Sequence, residues 1–129
     1  MADFMRPWER QTYAAMRIVV GFLFLWHGVQ KVFGYPPDPR LADAPAWVMW
    51  TAGPIELLGG LLVMLGLFTR WAAFISSGQM AAAYWMAHGW RALLPIVNQG
   101  EPAVIYCFVF LYIAARGPGD WSVDGARGG

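Results

Sequence analysis

His27 and Lys31 stand four positions apart in an otherwise apolar run, so on a helix they share one face, with Gln30 one step round. Glu56 lies inside a second apolar run, Asn98 and Glu101 precede a fourth, and His88 closes the third. Imidazole and ammonium groups donate hydrogen bonds to carbonyl oxygens, and carboxylates accept and pass on protons. An ionisable group at the centre of a bilayer costs about 2.5–3.5 kcal/mol to insert, so each needs a partner, a cavity or an interface. Glu56 is the sharpest case, because a carboxylate so far from a helix end cannot snorkel, and an ion pair or a function is expected of it. Lys31 and His88 have a plainer reading as residues whose polar ends rest among headgroups.

Other chemistries are excluded by counting. Cys107 is the single cysteine, so the chain can form neither an internal disulfide nor a dithiol redox pair. Two histidines are too few for a closed zinc site, and no metal site or intrinsic cofactor is expected. His27 and His88 would suit the axial positions of a haem, but histidines at an interface are the commoner case. A net charge of +1 with no basic stripe excludes a nucleic-acid backbone as partner.

The elements that must position these residues follow from hydropathy. A chain of 129 residues that is 58% hydrophobic and 13% charged cannot hide its apolar surface inside a water-facing globule, so the lipid bilayer is its expected solvent. Apolar runs predict helices at about 13–33, 47–68, 71–90 and 102–115, the last short for a span. The expectation is all-α: a single transmembrane domain over 1–129, a four-helix bundle with antiparallel neighbours. With the N-terminus inside, Arg6, Arg10, Arg17, Arg70, Arg116 and Arg127 lie on the cytoplasmic side against Lys31, Arg40 and Arg91 outside, which favours both ends in. The first run lacks a small-residue cleavage site and reads as a retained helix.

Pro36, Pro37 and Pro39 end the first helix, Leu93 to Gly100 separates the third from the fourth, and Thr69-Arg70 is read as the tight inner connection. Arg17 is expected to snorkel to the inner surface and Arg70 to act as a topology anchor only. The tail from Gly117 to Asp124 reads as a surface extension. Gly21, Gly28, Gly59 and Gly66, at seven-residue spacing, would let backbones approach closely. In this topology His27, Lys31, Glu56 and Glu101 lie at similar depth in the outer half and are expected to converge.

Four motifs in this order resemble the DoxX family of small bacterial membrane proteins: His27 to Gly34; Glu56-Leu57-Leu58-Gly59-Gly60 running to Thr69-Arg70; Asn98-Gln99-Gly100-Glu101; and Gly117 to Asp124. Gln99 departs from the pattern, in which glycine is more usual. The resemblance implies a four-helix bundle in the bacterial inner membrane, with a polar signature on His27, Lys31, Glu56, Asn98 and Glu101. It also implies a loose link to redox chemistry, since relatives include membrane subunits of thiosulfate:quinone oxidoreductases. A quinone-interacting subunit is therefore expected, with a bound quinone or lipid and a redox partner protein. The alternatives are an assembly protein whose buried charges only fix helix packing, and a small-solute permease that would work as a homo-oligomer.

Overall fold

The structure, a computed structural model, describes residues 3–128. Among them every regular element is helical: α1 (Glu9–Phe33), α2 (Ala46–Leu65), α3 (Thr69–Tyr84), α4 (Pro95–Asn98), α5 (Glu101–Arg116) and α6 (Val123–Ala126). The expected domain limits at 1 and 129 fall outside the described residues.

Helix α1 starts four residues before its apolar run, because a 3-10 turn at Arg6–Trp8 leads into Glu9, Arg10, Gln11 and Thr12, which hydropathy leaves out but a helix accepts. Its end is Gly34, in the left-handed conformation at φ 70°. Helix α2 also ends on a left-handed glycine, Gly66, while Leu67 N–H closes on the Leu62 carbonyl. The turn between α2 and α3 is therefore Gly66–Phe68. Thr69 and Arg70, expected to form that turn, are instead the first residues of α3. Helix α3 passes into a π-helical turn at Trp85–Gly89, and the outer connection contains the short α4.

Helices α1 and α2 pack almost backbone to backbone. A Cβ on Gly21 would lie 2.6 Å from the Met64 nitrogen, one on Gly60 2.5 Å from the Leu25 nitrogen, and one on Gly28 would collide with Leu57. Helix α3 packs on α5, where Ser77 Oγ donates to the Cys107 carbonyl at 2.7 Å. Between α1 and α5 the space is filled by rings: Phe24 meets Phe110 at 4.6 Å, and Tyr106 stacks on Phe110 at 5.8 Å.

Large apolar side chains such as Val19, Phe22, Leu58, Phe74, Ile105 and Phe108 are exposed, whereas Arg17, Glu56, Thr69 and Ser76 are almost wholly enclosed. That distribution suits a hydrocarbon surrounding rather than water. Helices α1 and α2 are long and apolar enough to cross a membrane; α3 and α5 have 16 residues each.

The end of the fold that holds Tyr13, Arg17 and the C-terminal segment differs most from expectation. Arg17 does not snorkel: it is 0% exposed, and its guanidinium donates to the carbonyls of Val63 (3.0 Å), Asp120 (2.9 Å) and Trp121 (2.7 Å), and to that of Pro118. The tail is accordingly a docked segment rather than a surface extension. Tyr13 Oη donates to the Gly117 carbonyl at 2.6 Å. The Asp124 carboxylate accepts from Phe68 N–H, Thr69 N–H and Thr69 Oγ1 at 2.8–3.1 Å, and Asp124 N–H donates to the Gly66 carbonyl. Arg70 is more than an anchor, since it donates to the carbonyls of Ala114, Ala115 and Arg116 and so covers the C-terminal end of α5.

Candidate functional site

Lys31 comes from the last turns of α1 and Glu56 from the middle of α2, where the glycine seam holds the two helices close. Their side chains meet: Lys31 Nζ stands 2.7 Å from Glu56 Oε1. The Glu56 side chain is 2% exposed and that of Lys31 15%, so the lysine is the more accessible member of the pair. Gln79, from α3, donates through Nε2 to the other carboxylate oxygen at 3.1 Å. Three helices thus converge on one carboxylate, and the pair is electrically neutral as a unit, which is what a low-dielectric interior tolerates.

His27 lies one turn before Lys31 on α1. Its ring packs edge-on against Tyr106 of α5 at 5.9 Å, and the next residue, Gly28, lies against the backbone of Glu56 and Leu57. His27, Lys31 and Glu56 therefore border the same region.

Asn98 belongs to a different arrangement. It is buried, and each polar atom of its amide is bonded: Nδ2 donates to Tyr84 Oη and the Ala92 carbonyl, both at 3.0 Å, while Oδ1 accepts from Gly100 N–H at 2.8 Å. His88 Nδ1 donates to the Asn98 carbonyl at 3.0 Å. These bonds tie the π-helical turn to the start of α5, and they leave Asn98 no free hydrogen-bonding atom on its side chain for a ligand. Glu101 is exposed at the first turn of α5, where its charge complements the helix N-terminus. Among the described residues it makes no hydrogen bond with Lys31 or Glu56. The five expected residues thus divide into a central group, His27, Lys31 and Glu56, and an outer pair, Asn98 and Glu101. The division arises because the loop before α5 turns Asn98 inward onto Tyr84.

Gln79 was not singled out by sequence reasoning. The signal was present: it is a long amide inside the third apolar run, three residues from Ser76 and so on the same helix face. Chemically, Lys31 retains two N–H donors beyond the bond to Glu56. The Gln79 Oε1 atom is buried without a hydrogen-bond partner. Donors, a carboxylate and one unfilled acceptor therefore stand together.

An all-helical molecule with an apolar exterior and paired charges inside it belongs to the class of helical membrane proteins. Within that class, the chain belongs to the DoxX family, whose model matches residues 13–89, from α1 to the end of the π-helical turn. A protein of Haemophilus influenzae described as uncharacterized is 39% identical over 116 residues, covering 86% of this chain and 87% of that protein. No solved structure matches the chain.

Proposed function

We propose that this protein is a four-span subunit of the bacterial inner membrane, with both ends in the cytoplasm, and that its Lys31–Glu56–Gln79 site takes the head of a quinone in partnership with a redox protein. The observation that carries the reading is the Lys31–Glu56 contact at 2.7 Å, with Gln79 on the second carboxylate oxygen. A quinone offers carbonyl oxygens and needs donors, a proton route and an apolar seat for its chain. Lys31 and His27 supply donors, the Glu56 carboxylate can accept a proton, and the lysine is the more exposed member of the pair. Electrons come from the partner, because the chain has one cysteine and no dithiol. Arginines at the shared end of α1, α3 and α5 support the orientation. A reporter fused to the C-terminus would test it, since activity of a periplasm-only reporter there would overturn both ends in.

Binding of a short-chain benzoquinone to the protein in lipid nanodiscs, followed by quenching of tryptophan fluorescence, tests the site. Glu56→Gln and His27→Ala are expected to weaken binding by roughly tenfold each, the scale of one lost charge-assisted hydrogen bond. Unchanged affinity in both variants removes the quinone reading.

A second reading has its own observation: Lys31 and Glu56 satisfy each other directly, as a pair that only fixes helix register would. Removing one partner from a buried pair costs about 3–5 kcal/mol, whereas replacing both by apolar side chains is near neutral. A Lys31→Met/Glu56→Leu double variant that is stable and fully active in the cell would establish this assembly role.

A further inference from the structure

The connection between the π-helical turn and α5 differs in kind from the one between α1 and α2. Residues 34–45 carry Asp38, Arg40 and Asp43, and the Arg40 guanidinium donates to the Asp38 carboxylate at 3.0–3.1 Å. Residues 92–100 carry no charged side chain, and Arg91 and Glu101 bracket them. Leu93 is 91% exposed and Ile96 75%, and Leu94 and Val97 are more than half exposed. Four neighbouring aliphatic side chains turned outward are not expected of a loop that stands in water.

The polar groups of this stretch turn inward. Asn98, between the exposed Val97 and Gln99, is buried and donates to the Ala92 carbonyl, while His88 Nδ1 pairs with the Asn98 carbonyl. Trp90 Nε1 donates to the Met86 carbonyl at 2.9 Å, and Gly100 N–H closes on the Pro95 carbonyl at 3.2 Å. Irregular backbone at membrane depth is tolerated where such partners stand in for water.

Length points the same way. The 16 residues of α5, at about 1.5 Å each, reach about 24 Å, short of a hydrocarbon core of about 30 Å. With Arg116, paired with Glu9 at 2.9 Å, at headgroup level at one end, α5 begins about 6 Å inside the core at the other. Interfacial segments bury an apolar face to a similar depth, about 5–10 Å.

We propose that residues 92–98 lie in the lipid interface rather than in water, with Leu93, Leu94, Ile96 and Val97 entering the acyl chains and Arg91 and Glu101 reaching back to the headgroups. The exposed rings of Trp85 and Trp90 stand at the boundary, where indoles prefer to be. The inference rests on α5 crossing the membrane, as in the four-span reading above, and adds that the loop leading into it is itself a lipid-binding surface. Charge favours lipid over a second copy of the chain as the occupant. Arg91 is the only lysine, arginine, aspartate or glutamate within residues 85–98, and its guanidinium stands 5.5 Å from the centre of the Trp90 ring. A cation beside an indole, next to an aliphatic patch, is the pairing that a headgroup zone accepts.

The test uses the full-length protein in nanodiscs, with single cysteines in a Cys107→Ala background carrying a spin label. Power saturation compares oxygen, which concentrates among acyl chains, with a water-soluble nickel chelate. Leu93→Cys and Ile96→Cys are expected to match Phe108→Cys, a reference on the exposed face of α5, with oxygen relaxing the label roughly threefold more than nickel. Ala42→Cys, in the charged connection, is expected to show the reverse. Nickel access at positions 93 and 96 equal to that at 42, with 108 in lipid, overturns this inference and leaves the four-span reading standing. Nickel access at 108 as well overturns both. Weak collision with both reagents at 93 and 96 means that protein covers them, and also overturns the lipid assignment. Leu93 and Ile96 lie on the surface, so these substitutions leave the helix contacts in place.

Discussion

The guanidinium of Arg17 donates to the carbonyl of Trp121 across 104 positions of sequence, at 2.7 Å. Trp121 has φ 53°, a left-handed conformation that a bulky side chain seldom adopts, and Phe68 has φ 50°. Such conformations persist where surrounding contacts over-determine them. Here Arg17 holds the first and Asp124, accepting from Phe68 N–H at 3.1 Å, holds the second. This end of the fold is thus a clasp, in which a buried cation and a carboxylate fasten the C-terminal segment across the turn between α2 and α3.

Arg17→Met is expected to lower stability by about 3 kcal/mol, because four carbonyl partners lose a charged donor at once. The same variant should free the tail. Thermal unfolding in detergent, together with limited proteolysis near residues 117–126, measures both effects. Arg17→Lys is not expected to restore them, since a single ammonium group cannot match the planar array of donors. A protease pattern like the wild type's would contradict the clasp.

Acid should open the same clasp. Burial alone would raise the Asp124 carboxyl, but the bonds from Thr69 and Phe68 outweigh it and hold the group below its ordinary value. A carboxyl depressed in the folded state adds stability that is complete above its unfolded pKa, about 3.9, and is lost as pH falls through the folded value. Cleavage of the tail should therefore increase below about pH 4 in the wild type. Asp124→Asn should already be loosened at neutral pH, by about 1 kcal/mol, and show a flatter profile. A wild-type profile unchanged by the substitution would assign the acid response to other groups.

Gly28 is where α1 crosses α2, with a built Cβ only 2.6 Å from the Leu57 Cα. Gly28→Leu must push the helices apart, with an expected cost of about 1–3 kcal/mol. Because Lys31 is one turn away and Glu56 adjoins Leu57, the variant should also separate the ion pair. Gly78 has no neighbour within 4 Å of a built Cβ, and Gly78→Ala serves as the control, with a gain of about 0.5–1 kcal/mol from helix propensity alone. The two unfolding midpoints should move in opposite directions.

Gln99 occupies a left-handed position, φ 63°, directly after α4. Its side chain is exposed, and the neighbouring bonds that shape the loop come from Asn98. Gln99→Gly should therefore relieve backbone strain and raise stability by about 1 kcal/mol without altering the site. A fall in the unfolding midpoint would show that the glutamine side chain contributes to the loop.

Much of the architecture was legible in the order of residues. The run at 13–33 lies within α1 and the run at 102–115 within α5, while the run at 47–68 overruns the end of α2 by the turn Gly66–Phe68 and the run at 71–90 passes the π-helical turn by Trp90, because hydropathy sums over neighbours and does not see where a helix stops. The cost of burying Glu56 pointed to a partner, and its spacing from Lys31 on antiparallel helices left few candidates. Which polar groups actually meet was settled by helix register and loop geometry. Asn98 turns onto Tyr84 instead of joining Lys31, Gln79 reaches Glu56 because α3 lies beside α2 at that height, and Arg17 finds four carbonyls more than 45 positions away. A hydrogen bond depends on ångström-scale placement of atoms far apart in the chain, whereas the preference for lipid is a property of composition and survives without it.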